Sequence, residues 1–209
     1  MLMTSPLFCC ITAETSCPVQ QAEKALEGGA TMIQLRRKLA SGSELYTWTE
    51  KIQKLCRRHD AVCIVNDRVD IALAAKADGV HLGQEDLPLE AARKLLGNQR
   101  IIGVTVSTVT EAKRAERQGC SYAGLGHIFP TVSKKKSSEP VGLKRIREIS
   151  AFLTVPILAI GGIGTDNVCE VISAGADGIA VISAVSEAAD PVKAAAELLK
   201  TMQTCSRNP

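Results

Sequence analysis

Eight short apolar runs recur about every 25 residues along the chain, at 7–12, 31–35, 62–65, 79–82, 101–106, 122–129, 156–160 and 178–182. Each is followed by residues at helical spacing. In 44–59, Leu45, Trp48, Ile52 and Leu55 fall on one face, and basic residues close the segment where cations suit a helix C-terminus. The segment 109–119 stops at Gly119, and 142–153 and 191–202 carry similar patterns. Three helix ends read LEGGAT, RQGCSY and ISAGADG, in which a glycine and a small residue lead into the next strand.

Strands separated by helices form a parallel sheet with right-handed crossovers. Eight such units in 209 residues predict a compact (β/α)8 TIM barrel with short loops, an α/β fold in a single domain spanning 1–209. An open doubly wound sheet would carry a glycine-rich fingerprint opening its first helix, whereas GGAT closes one. No linker or low-complexity stretch interrupts the pattern. The one long irregular segment is PTVSKKKSSEPV at 130–141, expected to be functional or mobile and a candidate lid.

Composition narrows the function classes. Aromatic residues make up only 3%, so Val, Ile, Leu and Ala must fill the core. A net charge of +3 is too weak to suggest a nucleic-acid binder. None of the eight cysteines forms a Cys-x-x-Cys pair, which argues against a zinc site and against a disulfide framework. Reduced, mostly buried thiols in a cytoplasmic protein are expected. The start, MLMTSPLFCCIT, lacks the features of a signal peptide, and no run of about 18 apolar residues predicts a membrane span.

A barrel of this kind carries its chemistry where the strands end. Gln34, Arg36 and Lys38 alternate after the second run and share one face, which suits a diphosphate: Arg binds as a fork and Lys as a mobile charge. A strand end fraying into solvent would leave the same pattern. The third run ends in Asn66-Asp67, and the fourth leads to Gln84, Glu85 and Asp86. Taken singly, Asp67 and Asp86 could each cap the following helix. As a pair on adjacent strands they would repel without a cation, and Mg2+ accepts one or two carboxylates together with phosphate oxygens. His81, without partners in the sequence, reads as structural. The fifth run contributes Thr105 and Ser107, and the sixth leads to His127, Thr131, Ser133 and Lys134. Gly161-Gly162 and Ile182-Ser183 follow the last two runs, where backbone N–H groups of many barrels hold a phosphate; a tight turn would also require those glycines.

QLRRK, VNDRVDIALAAKADGVHLGQEDLP, GHIFPTVSK, AIGGIGTDN and GADGIAVISAV occur in this order over nearly the whole chain, which thereby resembles the thiamine-phosphate synthase family. The resemblance implies a TIM-barrel transferase that couples hydroxymethylpyrimidine diphosphate to a carboxylated thiazole phosphate, giving thiamine phosphate, pyrophosphate and CO2. It implies that Gln34, Arg36, Lys38 and Asn66 hold the pyrimidine diphosphate, that Thr105 contacts the pyrimidine, and that Asp67 and Asp86 bind Mg2+. Thr131, Ser133, Gly162, Ile182 and Ser183 would hold the thiazole phosphate, and Lys134 would contact the diphosphate. Lys134, Arg36 and Thr105 are the residues expected to act at the reacting centre. The partners would be these two small molecules, without nucleic acid or membrane, and with homo-oligomerisation left open.

The chain departs from the family at several points. Thr105 stands where Ser is usual, Ser107 where a His often follows, and Ser133 where Thr is commoner. His127 also occurs in a sister group resembling the thiazole tautomerases, in which it moves a proton. Those relatives tend to lack the basic face and the paired acids, so the synthase is the expectation and tautomerisation the alternative. A non-catalytic phosphate-binding barrel is the alternative of a different class.

Overall fold

The computed structural model describes residues 6–131 and 139–205. Each apolar run becomes a strand: β1 Leu7–Ile11, β2 Met32–Leu35, β3 Val62–Asn66, β4 Gly79–Leu82, β5 Ile101–Val106, β6 Tyr122–Gly126, β7 Ile157–Ile160 and β8 Gly178–Val181. All neighbouring strands pair in parallel, and β8 returns to β1 to close the barrel. The helices alternate with them as α1 Pro18–Glu27, α2 Gly42–Arg58, α3 Val69–Ala74, α4 Leu89–Leu96, α5 Val109–Arg117, α6 Gly142–Ser150 and α7 Val168–Ser173. Two helices follow β8, the short α8 Ser183–Ser186 and the long α9 Pro191–Thr204. The expected (β/α)8 architecture is therefore the observed one.

Strand alternation divides the core in two. Cys9, Met32, Ile64, Tyr122 and Leu158 are among the side chains filling the barrel interior. Phe8, Ile33, Val65, Val80 and Leu125 point outward and pack beneath the helices. Leu45 and Ile52 of α2 are buried against that outer layer, with Trp48 and Leu55 partly buried beside them, as the helical spacing predicts. The core is filled mainly by aliphatic side chains.

Some boundaries move. Helix α2 begins at Gly42 because Ser41 and Glu44 form a capping box: Ser41 Oγ accepts from the Glu44 amide at 3.3 Å, and a Glu44 carboxylate oxygen accepts from the Ser41 amide at 2.9 Å. The run at 122–129 pairs as a strand only to Gly126. Beyond it, the amides of Ile128 and Phe129 donate to the carbonyls of Ile160 and Gly161 at 2.9 and 3.0 Å, which carries the chain across the rim.

One expectation is overturned. Cys169 and Cys205 form a disulfide between α7 and the end of α9. Their separation of 36 residues hides the pairing in the sequence, and the packing of α7 against α9 creates it. The other cysteines are free thiols, all buried except Cys17. No helix among the described residues is long and apolar enough to cross a membrane.

Candidate active site

At the C-terminal mouth of the barrel, side chains from several strands surround a cavity that is open to solvent. Gln34, Thr105, Thr131, Gly162, Ile182 and Ser183 line it, so these six predicted residues share one space. His81 and His127 line it too. Its floor and walls are mostly apolar, contributed by residues such as Ile11, Leu158 and Ile160.

β2 ends at Leu35, and the basic residues follow it onto the rim. Gln34 is buried in the barrel, with 3% of its surface exposed. Arg36 is held at the rim: its amide donates to Thr12 Oγ1 at 2.9 Å, and Thr12 Oγ1 donates back to the Arg36 carbonyl at 3.1 Å. Its guanidinium lies 3.8 Å from Glu14. Arg37, whose guanidinium also lies 3.8 Å from Glu14, donates to the Ser16 carbonyl and lies over the Trp48 ring. Glu14 also accepts the Lys38 amide at 2.9 Å, so one carboxylate from the β1–α1 loop steadies the whole basic segment. Sequence reading missed Glu14 and Thr12, since nothing local connects them to residues more than twenty positions away.

Lys38 Nζ lies 2.7 Å from an Asp67 carboxylate oxygen. Asp67 follows Asn66 at the end of β3, adopts a φ of 62°, and donates its amide to the His81 carbonyl at 2.8 Å. Asp86 does not occupy the equivalent place on β4. It lies four residues beyond Leu82, and a turn brings it back, its carboxylate accepting the Gly83 amide at 2.6 Å. The two carboxyls nevertheless lie close enough to shift one another's ionisation. Burial pushes Asp67 up, but Lys38 and Asp86 outweigh it and hold the group below the ordinary carboxylate range. Burial and the neighbouring Asp67 push Asp86 up.

Neither acid caps a helix. Arg68 occupies the N-cap of α3 and Pro88 that of α4, both without a side-chain cap. Among the described residues, no group of three or more His, Cys, Asp and Glu side chains gathers as a metal cluster, so the pair stands without a third such group.

Gly161 and Gly162 have φ of 104° and 65°. A β-carbon on Gly162 would sit 2.5 Å from the Pro130 carbonyl and 2.8 Å from Phe129 Cβ, so the turn needs glycine as well as lining the cavity. Asn167 holds this loop, donating to the Gly162 carbonyl at 2.9 Å and accepting the Gly164 amide at 3.0 Å. Ser107 turns its hydroxyl to the Gly126 carbonyl at 3.3 Å. Gln84 donates to the Thr105 carbonyl and accepts from Arg114, which ties the β4 rim to β5. Ser133 and Lys134, with residues 132–138 of the candidate lid, lie outside the described residues.

A protein-family model described as thiamine monophosphate synthase matches residues 8–185. The chain is 60% identical over 203 residues to a protein of Chlorobium limicola named thiamine-phosphate synthase, covering 97% of each. It is 52% identical over 183 residues to a thiamine-phosphate synthase of Moorella thermoacetica, covering 88% of this chain and 87% of that one. Among solved structures, a thiamine phosphate pyrophosphorylase from Pyrococcus furiosus superposes with a TM-score of 0.87 at 42% identity, covering 95% of this chain and 96% of that one.

Proposed function

This chain belongs to the thiamine monophosphate synthase family, a family of transferases, and from that premise we propose that it joins hydroxymethylpyrimidine diphosphate to a carboxylated thiazole phosphate. The products are thiamine phosphate, pyrophosphate and CO2. The observation that carries this reading is the Asp67–Asp86 carboxyl pair with Lys38 at its side, on the rim of a cavity lined by Gln34, Thr105, Gly162 and Ser183.

Asp67 and Asp86 are the residues that would hold Mg2+. Two adjoining carboxyls suit a small cation that keeps water and phosphate oxygens as its other ligands. When bound, the ion neutralises charge that grows on the departing diphosphate. Arg36, Lys38 and Asn66 orient the diphosphate, with Lys134 as a further contact. Facing the leaving oxygens, the positive Arg36 and Lys38 would stabilise charge that is greater in the transition state than in the ground state.

Gln34 and Thr105 position the pyrimidine in the mouth of the barrel. Thr131, Ser133 and the backbone at Gly162, Ile182 and Ser183 hold the thiazole phosphate opposite it. The bond between the exocyclic methylene carbon and the diphosphate oxygen breaks, the oxygen leaves with the electron pair, and the thiazole nitrogen bonds to that methylene; the carboxylate then departs as CO2, and the thiazole carbon left with the electron pair takes up a proton. Such a reaction needs alignment and exclusion of water more than a protein nucleophile, which the apolar cavity walls support.

His127 lines the same cavity and is the observation favouring the second reading, a thiazole tautomerase. Supplying both substrates with Mg2+ and measuring pyrophosphate separates the readings. Metal-dependent release supports the synthase. Thiazole isomerisation without metal and without pyrophosphate overturns it in favour of the tautomerase. Saturable binding without turnover makes the barrel a phosphate-ligand binder.

A further inference from the structure

Beneath the cavity, the apolar barrel interior contains a chain of polar groups. Tyr122 is fully buried at the start of β6, with its hydroxyl 2.9 Å from His81 Nδ1. The two rings stack with centroids 5.5 Å apart. His81 Nε2 lies 2.8 Å from Thr105 Oγ1.

Space for these rings is built into the strands. Gly103 of β5 stands opposite Tyr122 in the β5–β6 register, and a methyl group there would overlap the phenol. At Gly124 a β-carbon would lie 2.7 Å from His81 Cε1. Any larger residue facing inward at either position would displace a member of the chain.

We propose that Tyr122 is a positioning residue for the transfer reaction: its hydroxyl fixes the His81 ring, and through it directs the Thr105 hydroxyl proton toward the pyrimidine substrate. The inference deepens the functional reading above and rests on Thr105 facing the pyrimidine.

The proposed arrangement gives every proton a place. The buried phenol gives its proton to His81 Nδ1, so the single ring N–H of that tautomer is on Nε2 and donates to Thr105 Oγ1. The Thr105 proton remains for an acceptor in the cavity, such as a pyrimidine ring nitrogen. A hydrogen bond aligned in advance lowers the ordering cost of binding.

The test uses Tyr122→Phe, which keeps the ring and removes the hydroxyl, in wild-type and Thr105→Ala backgrounds. The KM for hydroxymethylpyrimidine diphosphate is expected to rise about tenfold, with the KM for the thiazole phosphate unchanged. In the Thr105→Ala background the same substitution should add almost nothing, because its route to substrate is gone. In 15N spectra of the wild-type protein, His81 should be a single Nε2–H tautomer. A wild-type Nδ1–H tautomer overturns the proposal without any variant. Unchanged KM in Tyr122→Phe, or an equal effect in both backgrounds, also overturns it. Wild-type protein that releases no pyrophosphate overturns the synthase reading itself, and this proposal falls with it.

Discussion

Lys38 Nζ lies 2.7 Å from Asp67 Oδ2, an ion pair that joins the rim of β2 to that of β3. It places a mobile cation against one of two neighbouring carboxyls. Since Asp67 is held below the ordinary carboxylate range, it stays ionised at neutral pH and can serve Lys38 or an incoming cation.

Asp67→Asn tests this arrangement without disturbing the fold. Asn tolerates the positive φ of 62° at this position better than most residues. Mg2+-dependent pyrophosphate release should fall at least about 100-fold, a few kcal/mol of transition-state stabilisation. The thermal midpoint should move by only a few degrees, corresponding to about 1 kcal/mol. Chelation should silence the wild type reversibly. Near-normal rates in the variant at limiting Mg2+ would remove Asp67 from the site.

Two glycines separate turn geometry from ligand geometry. Gly162→Ala forces a β-carbon against the Pro130 carbonyl and should cost about 1–3 kcal/mol while raising the KM for the thiazole phosphate. Gly97→Ala, at φ 72° and ψ −179° with open space around it, should cost about 1–3 kcal/mol through backbone strain alone and leave both KM values alone. Chemical denaturation and steady-state kinetics on the two variants decide the matter.

Alkali should weaken the fold through its buried thiols. Burial pushes Cys120 up to about 11 and raises Cys9 and Cys10 further. An unfolded thiol ionises near 8.5. Because the folded values are the higher ones, this contribution is complete below about pH 8.5 and is lost as pH climbs through about 11. Calorimetry across pH 8 to 11 should show a falling midpoint, and replacing Cys120 with Ala should flatten part of that fall. Alkylation at pH 8 should mark Cys17, the exposed free thiol, before any buried one.

Reductant should lower stability. The Cys169–Cys205 bridge closes a loop across 36 residues and pins the end of α9 to α7. Cutting it should cost about 2–4 kcal/mol, seen as an earlier unfolding midpoint with dithiothreitol. Cys169→Ser should match the reduced wild type and respond no further to reductant. An identical midpoint with and without reductant would argue that the bridge contributes nothing.

The chain by itself determined the barrel, because the signals for it are local. Alternating apolar residues make strands, spaced ones make helices, and glycines such as Gly119 and Gly175, at φ 80° and 109°, stop helices where the pattern places them. It also pointed to the mouth of the barrel, since the polar residues that collect after each apolar run had to converge once the strands closed. Tertiary structure alone decided how distant groups meet. The turn after Leu82 returns Asp86 to Asp67, Glu14 reaches two arginines from another loop, Gly103 makes room for Tyr122, and Cys169 finds Cys205. These contacts depend on strand register and helix packing, and no residue's immediate neighbours encode where a partner dozens of positions away will stand.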